Sequence, residues 1–521
     1  MFSAQIQAQI QDYHPFVVAC VGLGGLLLLS KLVSIGLTYR RHAIIIRKRG
    51  CKPYPAYPHK DFVIGLDIFM EAMKLNKYGG LLEAVRERYA KLNTKTFSQR
   101  LLGAKIIMTC EPENVKAVLA TQFQEFDLPK PRLDAVADVF GHGIFSTNGA
   151  EWEASRALLR PNFTRNQVGD IVTFEEHVSK LLARIPRDGS VVDLQELFFM
   201  LTLDSATDFL FGYSTNVLDE NDPNSAAGIK FGEAFQYVTE KVGIRTRVGW
   251  LAGFIKDPKY ESSRDYVHSY IDKYVKSTID LHQKTLTQEK VVKDKKEPGK
   301  YVFLEELAKT DYTATKIRDE LLNILLAGRD TTAALLGFLF WHLARRPDVW
   351  KQLRAEILEL GSGIPTFEQI KSLKYLQWCM NETLRLHPIV PINSREANRD
   401  TTLPVGGGKD GKSPIFVPKG GIVNYQVYVM HRRKDLYGED SDEFKPERWS
   451  NLRPGWQYLP FNGGPRICIG QQFALIEASY CAVRILQTFK AIESKDDSPF
   501  REALTITAAV GGGVQVGLTP A

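Results

Sequence analysis

Apolar residues recur at helical spacing along most of the chain after residue 60. This periodicity predicts amphipathic helices, clearest at Tyr78 to Lys91, Glu111 to Gln122, Leu194 to Leu210 and Pro347 to Leu360. Runs with the character of β-strands are fewer, at Thr96 to Thr109, Gly421 to Val427 and Gly513 to Leu518. The pattern therefore predicts a mainly α protein with small β-sheets.

The first apolar run is long enough to cross a membrane. It extends from Phe16 to Leu37, and its one charged residue is Lys31. A lysine near the end of a span can extend its ammonium group to the headgroups, so the run is compatible with a transmembrane helix of about 20 residues. A cleaved signal peptide would carry its positive charge before the apolar run, and a buried core helix would not be flanked by so much arginine. Residues 1–40 are predicted to be a single membrane anchor.

A basic and proline-rich segment follows the anchor. Residues 41–60 contain no acid, and Pro53, Pro55 and Pro58 alternate with other residues near the end of the segment. Arginine and lysine beside a span favour the cytoplasmic side of the membrane. Each proline fixes φ and removes a donor, which predicts a stiff, extended linker. We expect residues 61–521 to form one large domain held by this linker.

The net charge of +7 arises from the N-terminal segment alone. Residues 1–60 sum to +7, and the rest of the 521 residues sum to zero. A nucleic-acid-binding protein would need a basic face on its folded part, so that class is excluded. The six cysteines lie far apart without a C-x-x-C pair, which excludes a disulfide framework and a typical zinc site.

One cysteine lies in a segment with an unusual composition. Residues Phe461 to Gly470 read FNGGPRICIG, and a helical pattern begins directly after them. The N-terminus of that helix would place N–H groups near the sulfur of Cys468 and favour its thiolate. The glycines would let the backbone approach a flat ligand closely. The alternative interpretation is a buried free cysteine at the start of a helix.

A second segment interrupts a long apolar helix predicted from about Ile317 to Arg345. Residues Ala327 to Thr332 read AGRDTT, and glycine with small polar residues weakens a helix interior. The segment is either a tolerated polar interruption of a core helix or a groove in which Asp330 and Thr331 transfer protons.

These segments resemble motifs of the cytochrome P450 family. Phe461 to Gly470 matches that family's haem-binding loop, and Ala327 to Thr332 matches its A/G-G-x-D/E-T-T/S motif in every position. Glu382 and Arg385, three residues apart on a predicted helix, resemble its E-x-x-R pair. The segment Trp152 to Arg156 resembles its W-x-x-x-R motif. The four motifs follow the family's order, and the resemblance extends from about Pro53 to the C-terminus.

The resemblance implies a cytochrome P450 fold behind a single N-terminal transmembrane helix. It implies a haem b whose iron takes the thiolate of Cys468 as its axial ligand. The residues that it places around this cofactor are Trp152, Arg156, Arg395, Phe461 and Arg466. It assigns proton delivery to Asp330 and Thr331, and a structural network to Glu382, Arg385 and Arg448.

The activity implied is monooxygenation of an apolar small molecule, with O2 and electrons from an NADPH-dependent flavoprotein reductase. The domain 61–521 would then be the haem-thiolate catalytic domain, on the cytosolic face of the endoplasmic reticulum and in contact with membrane lipid. Two other activities stay open. An O2-independent haem-thiolate isomerase or dehydratase usually lacks the acid–alcohol pair that Asp330 and Thr331 form, and a haem carrier or scaffold would not need such a pair.

The segments around Cys468 and Thr331 look most like those of fungal alkane and fatty-acid ω-hydroxylases. This predicts oxidation of the terminal region of a long aliphatic chain, and Ala327 at the first motif position predicts that the haem is not covalently attached. Tailoring enzymes of fungal polyketides or terpenoids share every motif and remain the alternative. By position in the family, the substrate would lie near four mostly apolar segments: Val139 to Phe145, Leu322 to Leu326, Ile389 to Asn393 and Ile506 to Val510.

Overall fold

An exposed apolar helix precedes the folded part of the chain. The computed structural model describes residues 15–61, 63–163, 171–288 and 302–521, so the start of the predicted anchor, residues 1–14, lies outside the described residues. Helix α1 spans Pro15–Lys48, and within it Ala19–Lys48 is long and apolar enough to cross a membrane and is not buried by the protein. The helix continues past residue 40 because residues 41–48 contain neither proline nor glycine.

Residues 41–48 of the predicted linker belong to α1, whereas the proline-rich part that follows is not helical and is hydrogen-bonded to the folded domain. At the end of α1, a guanidinium nitrogen of Arg41 lies 2.5 Å from a carboxylate oxygen of Asp400. Further on, the N–H of Tyr57 donates to the carbonyl of Ser98 at 2.7 Å, and the N–H of Ser98 donates to the carbonyl of Pro55 at 2.9 Å. The proline-rich stretch therefore lies along the edge of a sheet, where a residue without an N–H is tolerated.

The domain is mainly helical with small sheets, which confirms the predicted fold class. Its helices, numbered after α1, are α2 Leu66–Tyr78, α3 Leu81–Lys91, α4 Pro112–Lys116, α5 Lys130–Phe140, α6 Gly149–Leu159, α7 Ile171–Arg184, α8 Leu194–Phe211, α9 Ser225–Val248, α10 Pro258–Gln288, α11 Phe303–Ala308, α12 Ala314–Leu343, α13 Pro347–Leu358, α14 Phe367–Ser372, α15 Lys374–Leu386, α16 Val427–Met430, α17 Lys434–Tyr437 and α18 Gln471–Thr488. Its strands are β1 Thr96–Leu101, β2 Ala104–Thr109, β3 Phe126–Asp127, β4 Val192–Asp193, β5 Ile392–Ala397, β6 Thr401–Gly407, β7 Ser413–Val417, β8 Ile422–Gln426, β9 Phe489–Ser494, β10 Glu502–Leu504, β11 Ala508–Val510 and β12 Gln515–Pro520.

Two elements begin or break where local backbone geometry overrides the apolar pattern. The predicted helix from Tyr78 begins only at Leu81, because Gly79 and Gly80 both adopt positive φ, 82° and 94°. The run from Thr96 to Thr109 is a hairpin, with Leu102 and Gly103 at φ of 50° and 86° in its turn. Periodicity alone does not report such turns.

The largest sheet has the strand order β1-β2-β8-β5-β3. The pairing of β2 with β8 is parallel, and the other pairings are antiparallel. The central position of β5 and β8 sets Arg395 directly opposite Val423. Polar residues of these two strands, among them Asn393 and Asn424, line one cavity together with Arg395.

Helix α12 forms the centre of the domain. Most of its residues are buried, including Leu321 and Leu322 in its first half and Leu335, Leu336 and Leu339 in its second half. The first half packs in a core cluster with α5, α9 and α10, and the second half packs in another with α8, α15 and α18. A helix enclosed in this way is apolar on most faces, which explains why the sequence shows a nearly continuous apolar run.

Candidate active site

A cavity of about 670 Å³ lies between α12, the large sheet and the loop before α18. Its wall is mostly apolar and includes members of all four segments that the sequence placed near the substrate, namely Phe145, Ile324, Ile389 and Ile506. Other members of those segments, such as Val139 and Leu322, are buried in the core beside it. The wall is therefore of the kind that binds an apolar small molecule.

Cys468 opens onto this cavity from the loop that precedes α18. The loop is held by its own backbone, since the N–H of Cys468 donates to the carbonyl of Phe461 at 3.0 Å. The residue is exposed toward the cavity and Phe461 lines the same wall. Burial by the surrounding protein raises the pKa of the Cys468 thiol, although the N–H of Gly470 and the charge of Arg156 lower it in part. A bound metal cation would be needed to complete the stabilisation of the thiolate.

Gly464 has a role that was not expected from the sequence. It adopts φ of 67°, and a Cβ at this position would lie 1.8 Å from the carbonyl oxygen of Leu119. Leu119 lies in a short π-helical turn, Ala117–Thr121, that packs against the loop. Gly464 is therefore required for close packing against protein backbone.

Four arginines lie in the cavity wall on the side of Cys468: Arg132, Arg156, Arg395 and Arg466. They donate to neutral oxygens, for example Arg466 to the carbonyl of Thr147 at 3.0 Å and Arg395 to the carbonyl of Ser394 at 2.8 Å. Burial and the neighbouring guanidinium groups of Arg395 and Arg132 lower the pKa of Arg466 to about 9. The centre of the Arg466 guanidinium lies 4.3 Å from the ring centroid of Trp152.

The cations of this cluster lack an anion in the wall itself. Among the described residues that line the cavity, none is aspartate or glutamate. Burial, followed by the charge of Arg395, lowers the pKa of Arg132 to about 10. Several buried cations close together are unfavourable unless an anion joins them, so the cluster is a site for an anionic ligand.

The structure separates the two residues predicted to deliver protons. Thr331 lines the cavity, and its hydroxyl donates to the carbonyl of Ala327 at 2.6 Å, within the helix. Asp330 is buried outside the cavity wall, and its carboxylate accepts from Arg329 at 2.7 Å. Burial raises the pKa of Asp330, and the charge of Arg329 offsets that increase in part. Only Thr331 of the pair is in contact with the cavity.

Glu382 binds both other residues of the predicted structural network, Arg385 and Arg448. It accepts from the Nε and Nη2 of Arg385 at 2.9 and 2.8 Å, and from the Nε of Arg448 at 2.8 Å. The indole N–H of Trp449 donates to the same carboxylate at 3.0 Å. Glu382 and Arg385 are fully buried. The network attaches α15 to the loops on either side of α17.

Comparison with known proteins identifies the family. A family model described as cytochrome P450 matches residues 64–510. The chain is 43% identical to the cytochrome P450 monooxygenase himC of Aspergillus japonicus, covering 99% of this chain and 92% of that protein. It is 40% identical to cytochrome P450 52A12 of Debaryomyces hansenii, covering 98% and 99%, and 43% identical to cytochrome P450 52A3-A of Candida maltosa, covering 85% and 87%.

The chain belongs to the cytochrome P450 family. The predicted family and enzyme class, a P450 monooxygenase, are confirmed, and family membership implies a haem iron with a cysteine thiolate ligand. The residues of this P450 fit that group. Cys468 is the cysteine that faces the cavity, and the arginine cluster beside it offers several donors to the carboxylates of a haem.

Sequence reasoning missed one residue of the site and one buried acid outside the cavity wall. Arg132, at the start of α5, donates to the side-chain oxygen of Asn393 at 2.5 Å and belongs to the arginine cluster, but no motif surrounds it. Glu477, on α18, is fully enclosed and accepts from the hydroxyl of Ser205. Burial raises the pKa of Glu477 to about 8, although the hydrogen bond from Ser205 lowers it in part. A single acid within the apolar run of α18 was the signal that could have indicated it.

Proposed function

We propose that this P450 hydroxylates the terminal region of a long aliphatic chain, an alkane or a fatty acid. The observation that carries the proposal is the shared cavity: Cys468 and Thr331 open into one mostly apolar space. The resemblance of the segments around these two residues to those of fungal ω-hydroxylases supports it.

The residues around the cavity divide into roles. Cys468 supplies the thiolate that binds the iron of haem b. Trp152, Arg156, Arg395 and Arg466, together with Arg132, hold the haem carboxylates, because their donors face a wall without an acid. Phe461 covers the cysteine side of the site and limits access of water to the sulfur. When bound, a thiolate-ligated haem supplies activation of dioxygen and oxidation of an unactivated C–H bond.

Proton delivery is assigned to Thr331, with Asp330 as the acid behind it. The hydroxyl of Thr331 lies at the cavity surface and can both donate and accept a proton. The carboxylate of Asp330 must first separate from Arg329, which holds it at 2.7 Å. Arg329 has a second acceptor, the side-chain oxygen of Gln236 at 2.9 Å, so its charge stays satisfied in part when Asp330 moves.

Selectivity for the end of the chain requires confinement, since a terminal C–H bond is stronger than one at the next carbon. A tenfold preference corresponds to ~1.4 kcal/mol of differential barrier, which steric contact with the cavity wall can provide. The side chains suited to that contact are Ile324, Leu326 and Ile389, which line the cavity together with Thr331.

Membrane attachment and electron supply complete the proposal. Residues 1–40 anchor the protein, 41–60 connect it, and 61–521 form the catalytic domain on the cytosolic face of the endoplasmic reticulum. The exposed apolar surface of α1 and the basic residues at its end support this placement. Electrons come from an NADPH-dependent flavoprotein reductase in the same membrane.

The test is incubation of membranes that contain the protein with reductase, NADPH and a panel of alkanes and fatty acids. We expect a shift of the haem spectrum on binding and ω-hydroxylated products by mass spectrometry. Absence of both across the panel would reject the proposal.

One observation favours a second candidate, tailoring oxidation of a polyketide or terpenoid. Gln426 lines the cavity, donates to Asn424 at 2.5 Å, and its side-chain oxygen is buried without a partner among the described residues. A hydroxyl-bearing substrate would satisfy that oxygen. Turnover of a cyclic polyketide or terpenoid, without any turnover of the aliphatic panel, would select this function.

A further inference from the structure

Two arginines of the cavity wall, Arg88 and Arg247, lie outside the cluster beside Cys468. Arg247 is in the last turn of α9 and lines the cavity together with Val248, Leu504 and Ile506. Its neighbours are therefore largely apolar. An arginine in such a wall has to be explained by what its guanidinium binds.

The backbone places Arg247 firmly. Gly243, one turn earlier on α9, packs so closely on the β10–β11 turn that a Cβ there would lie 2.8 Å from the carbonyl carbon of Thr505. The Nη2 of Arg247 donates to the carbonyls of Thr505 and Leu504 at 2.7 and 3.3 Å. These bonds fix the direction of the guanidinium plane.

The same guanidinium keeps an unused donor. Nη1 of Arg247 is buried, and among the described residues it has no hydrogen-bond partner and Arg247 forms no ion pair with an acid. Desolvation alone lowers the pKa of Arg247 to about 10, without a compensating neighbouring charge. A role limited to joining α9 to the turn accounts for Nη2. It leaves Nη1 and the positive charge unexplained.

The remaining cavity arginines are accounted for. Arg88 pairs with Glu71 at 2.5 Å, and the other four belong to the cluster beside Cys468. The neighbours that affect the pKa of Arg466 include Arg395, Arg132 and Arg156 but not Arg247. Arg247 is thus a positive charge separate from the cluster, in the wall of the same apolar cavity as Cys468.

We propose that the guanidinium of Arg247 binds the carboxylate of the substrate and so selects an aliphatic acid over a neutral chain. The inference rests on the proposed function and narrows it from alkane or fatty acid to an acid. With the carboxylate held at Arg247, the rest of the chain extends along the apolar wall, where Ile324, Thr331 and Cys468 also lie. Loss of water from both groups in this wall strengthens the charge-assisted hydrogen bond.

The test compares the Arg247→Met variant with the wild type, both as the full-length, haem-loaded protein. Methionine keeps an unbranched stem and removes the charge. Palmitate and its methyl ester have the same chain and differ in the carboxylate, and the haem spectral shift gives a Kd for each. We expect the ratio of the ester Kd to the acid Kd to fall at least about tenfold, the change that corresponds to ~1.4 kcal/mol. Arg247→Lys keeps the charge and should retain part of the preference.

Arg245→Met is the matched control, because Arg245 lies on the same helix end but does not line the cavity. It should leave the ratio of the two Kd values within about twofold.

Equal changes in the Kd of the acid and the Kd of the ester in Arg247→Met would show a purely structural role. That result would overturn the inference while leaving ω-hydroxylation intact. If Arg247→Met failed to incorporate haem, the ratio of the ester Kd to the acid Kd would be measured in Arg247→Lys and Arg247→Gln instead. Only the lysine variant keeps the charge, so equal ratios in these two variants would overturn the inference. A wild-type protein that oxidised chains but bound the ester as tightly as palmitate would also overturn it. Failure to bind or oxidise any chain would instead reject the proposed function, and the inference with it.

Discussion

The buried polar residues of this P450 differ in whether a partner neutralises them. Glu382 accepts from two arginines and a tryptophan, whereas the arginines around the cavity donate only to neutral oxygens or, for Arg88, to one carboxylate. A neutralised group contributes to the fold, because removing its partner leaves a charge without compensation. A cation without an anion in a cavity wall instead indicates a ligand. This distinction separates structural from binding residues without reference to a motif.

Thr331→Ala should uncouple NADPH oxidation from product formation. The variant loses the hydroxyl at the cavity surface, so proton delivery into the cavity would be less controlled, and more of the oxygen consumed would leave as hydrogen peroxide. The measurement is the ratio of hydroxylated product to NADPH consumed, with peroxide determined in parallel. Thr331→Ser keeps a hydroxyl at the same position and serves as the control. An unaltered ratio in Thr331→Ala would remove Thr331 from the proton pathway.

Glu477→Gln should remove a pH dependence of stability. Burial raises the pKa of Glu477 in the folded protein to about 8, from an ordinary value of 4.5. Between these two pH values the unfolded chain loses this proton while the folded protein keeps it, so the free energy of unfolding falls as pH rises. Each pKa unit corresponds to about 1.4 kcal/mol. The variant should melt higher than the wild type at pH 7.5, and the difference should shrink toward pH 5.

Glu175→Gln offers a control of opposite sign. Burial acts to raise the pKa of Glu175, but hydrogen bonds from Tyr480 and Arg484 lower it overall. The stability that Glu175 contributes to the folded protein is therefore present above the ordinary carboxyl pKa and is lost as pH falls. If the free energy of unfolding changed equally with pH in the wild type and in Glu477→Gln, Glu477 would be ionised in the folded protein.

At the scale of elements, two kinds of contact join the pieces around the site. Helix α15 is joined to the loops around α17 by the Glu382 network, and α12 is joined to α8 and α18 by apolar packing. The hydroxyl of Thr202 on α8 also donates to the carbonyl of Arg329 on α12 at 2.8 Å, next to the proton-transfer segment. Such a bond stabilises a helix interior weakened by Gly328.

Glu382→Gln should strongly destabilise the domain. It leaves the guanidinium of Arg385, which is fully buried, without its anion, and breaking a buried pair costs about 3–5 kcal/mol. Glu306→Gln is the matched control, because Glu306 and Lys309 form an exposed pair with the same spacing, worth less than about 1 kcal/mol. The measurement is thermal unfolding and haem content. Similar losses in the two variants would contradict a special role for burial.

At the scale of the whole molecule, α1 is attached to the domain only near its end. Within the described residues, the ion pair of Arg41 with Asp400 and the contact of His42 with Phe416 connect the two parts. The apolar residues before residue 40 are exposed, for example Leu23, Leu26 and Leu37. The catalytic domain therefore does not depend on the apolar part of α1 for its core.

Deletion of residues 1–40 should release the domain from tight membrane association without unfolding it. The deletion retains Arg41 and His42, so we expect full haem content and an unchanged melting temperature. The basic residues that remain contribute up to ~1 kcal/mol each near anionic lipid, so release should need high salt. The measurement is the partition between membrane and supernatant after a salt wash. Recovery of the full-length protein in the washed soluble fraction would contradict the anchor.

The sequence by itself determined the fold class, the family and the position of Cys468, because these depend on contiguous patterns. Apolar periodicity reports which residues face a core, and a motif such as Phe461 to Gly470 is local in the chain. The same local reasoning predicted that Glu382 and Arg385 face each other, one helical turn apart.

Only the tertiary structure decided which distant residues share a space. It brought Arg132, Arg395 and Arg466 together, separated Asp330 from the cavity that Thr331 lines, and placed Arg247 in the wall without an acid. It also showed that Gly464 packs against Leu119. Burial, the loss of water and the absence of a counter-charge are properties of a residue's whole surroundings. Those surroundings come from segments hundreds of residues apart, and no local pattern encodes them.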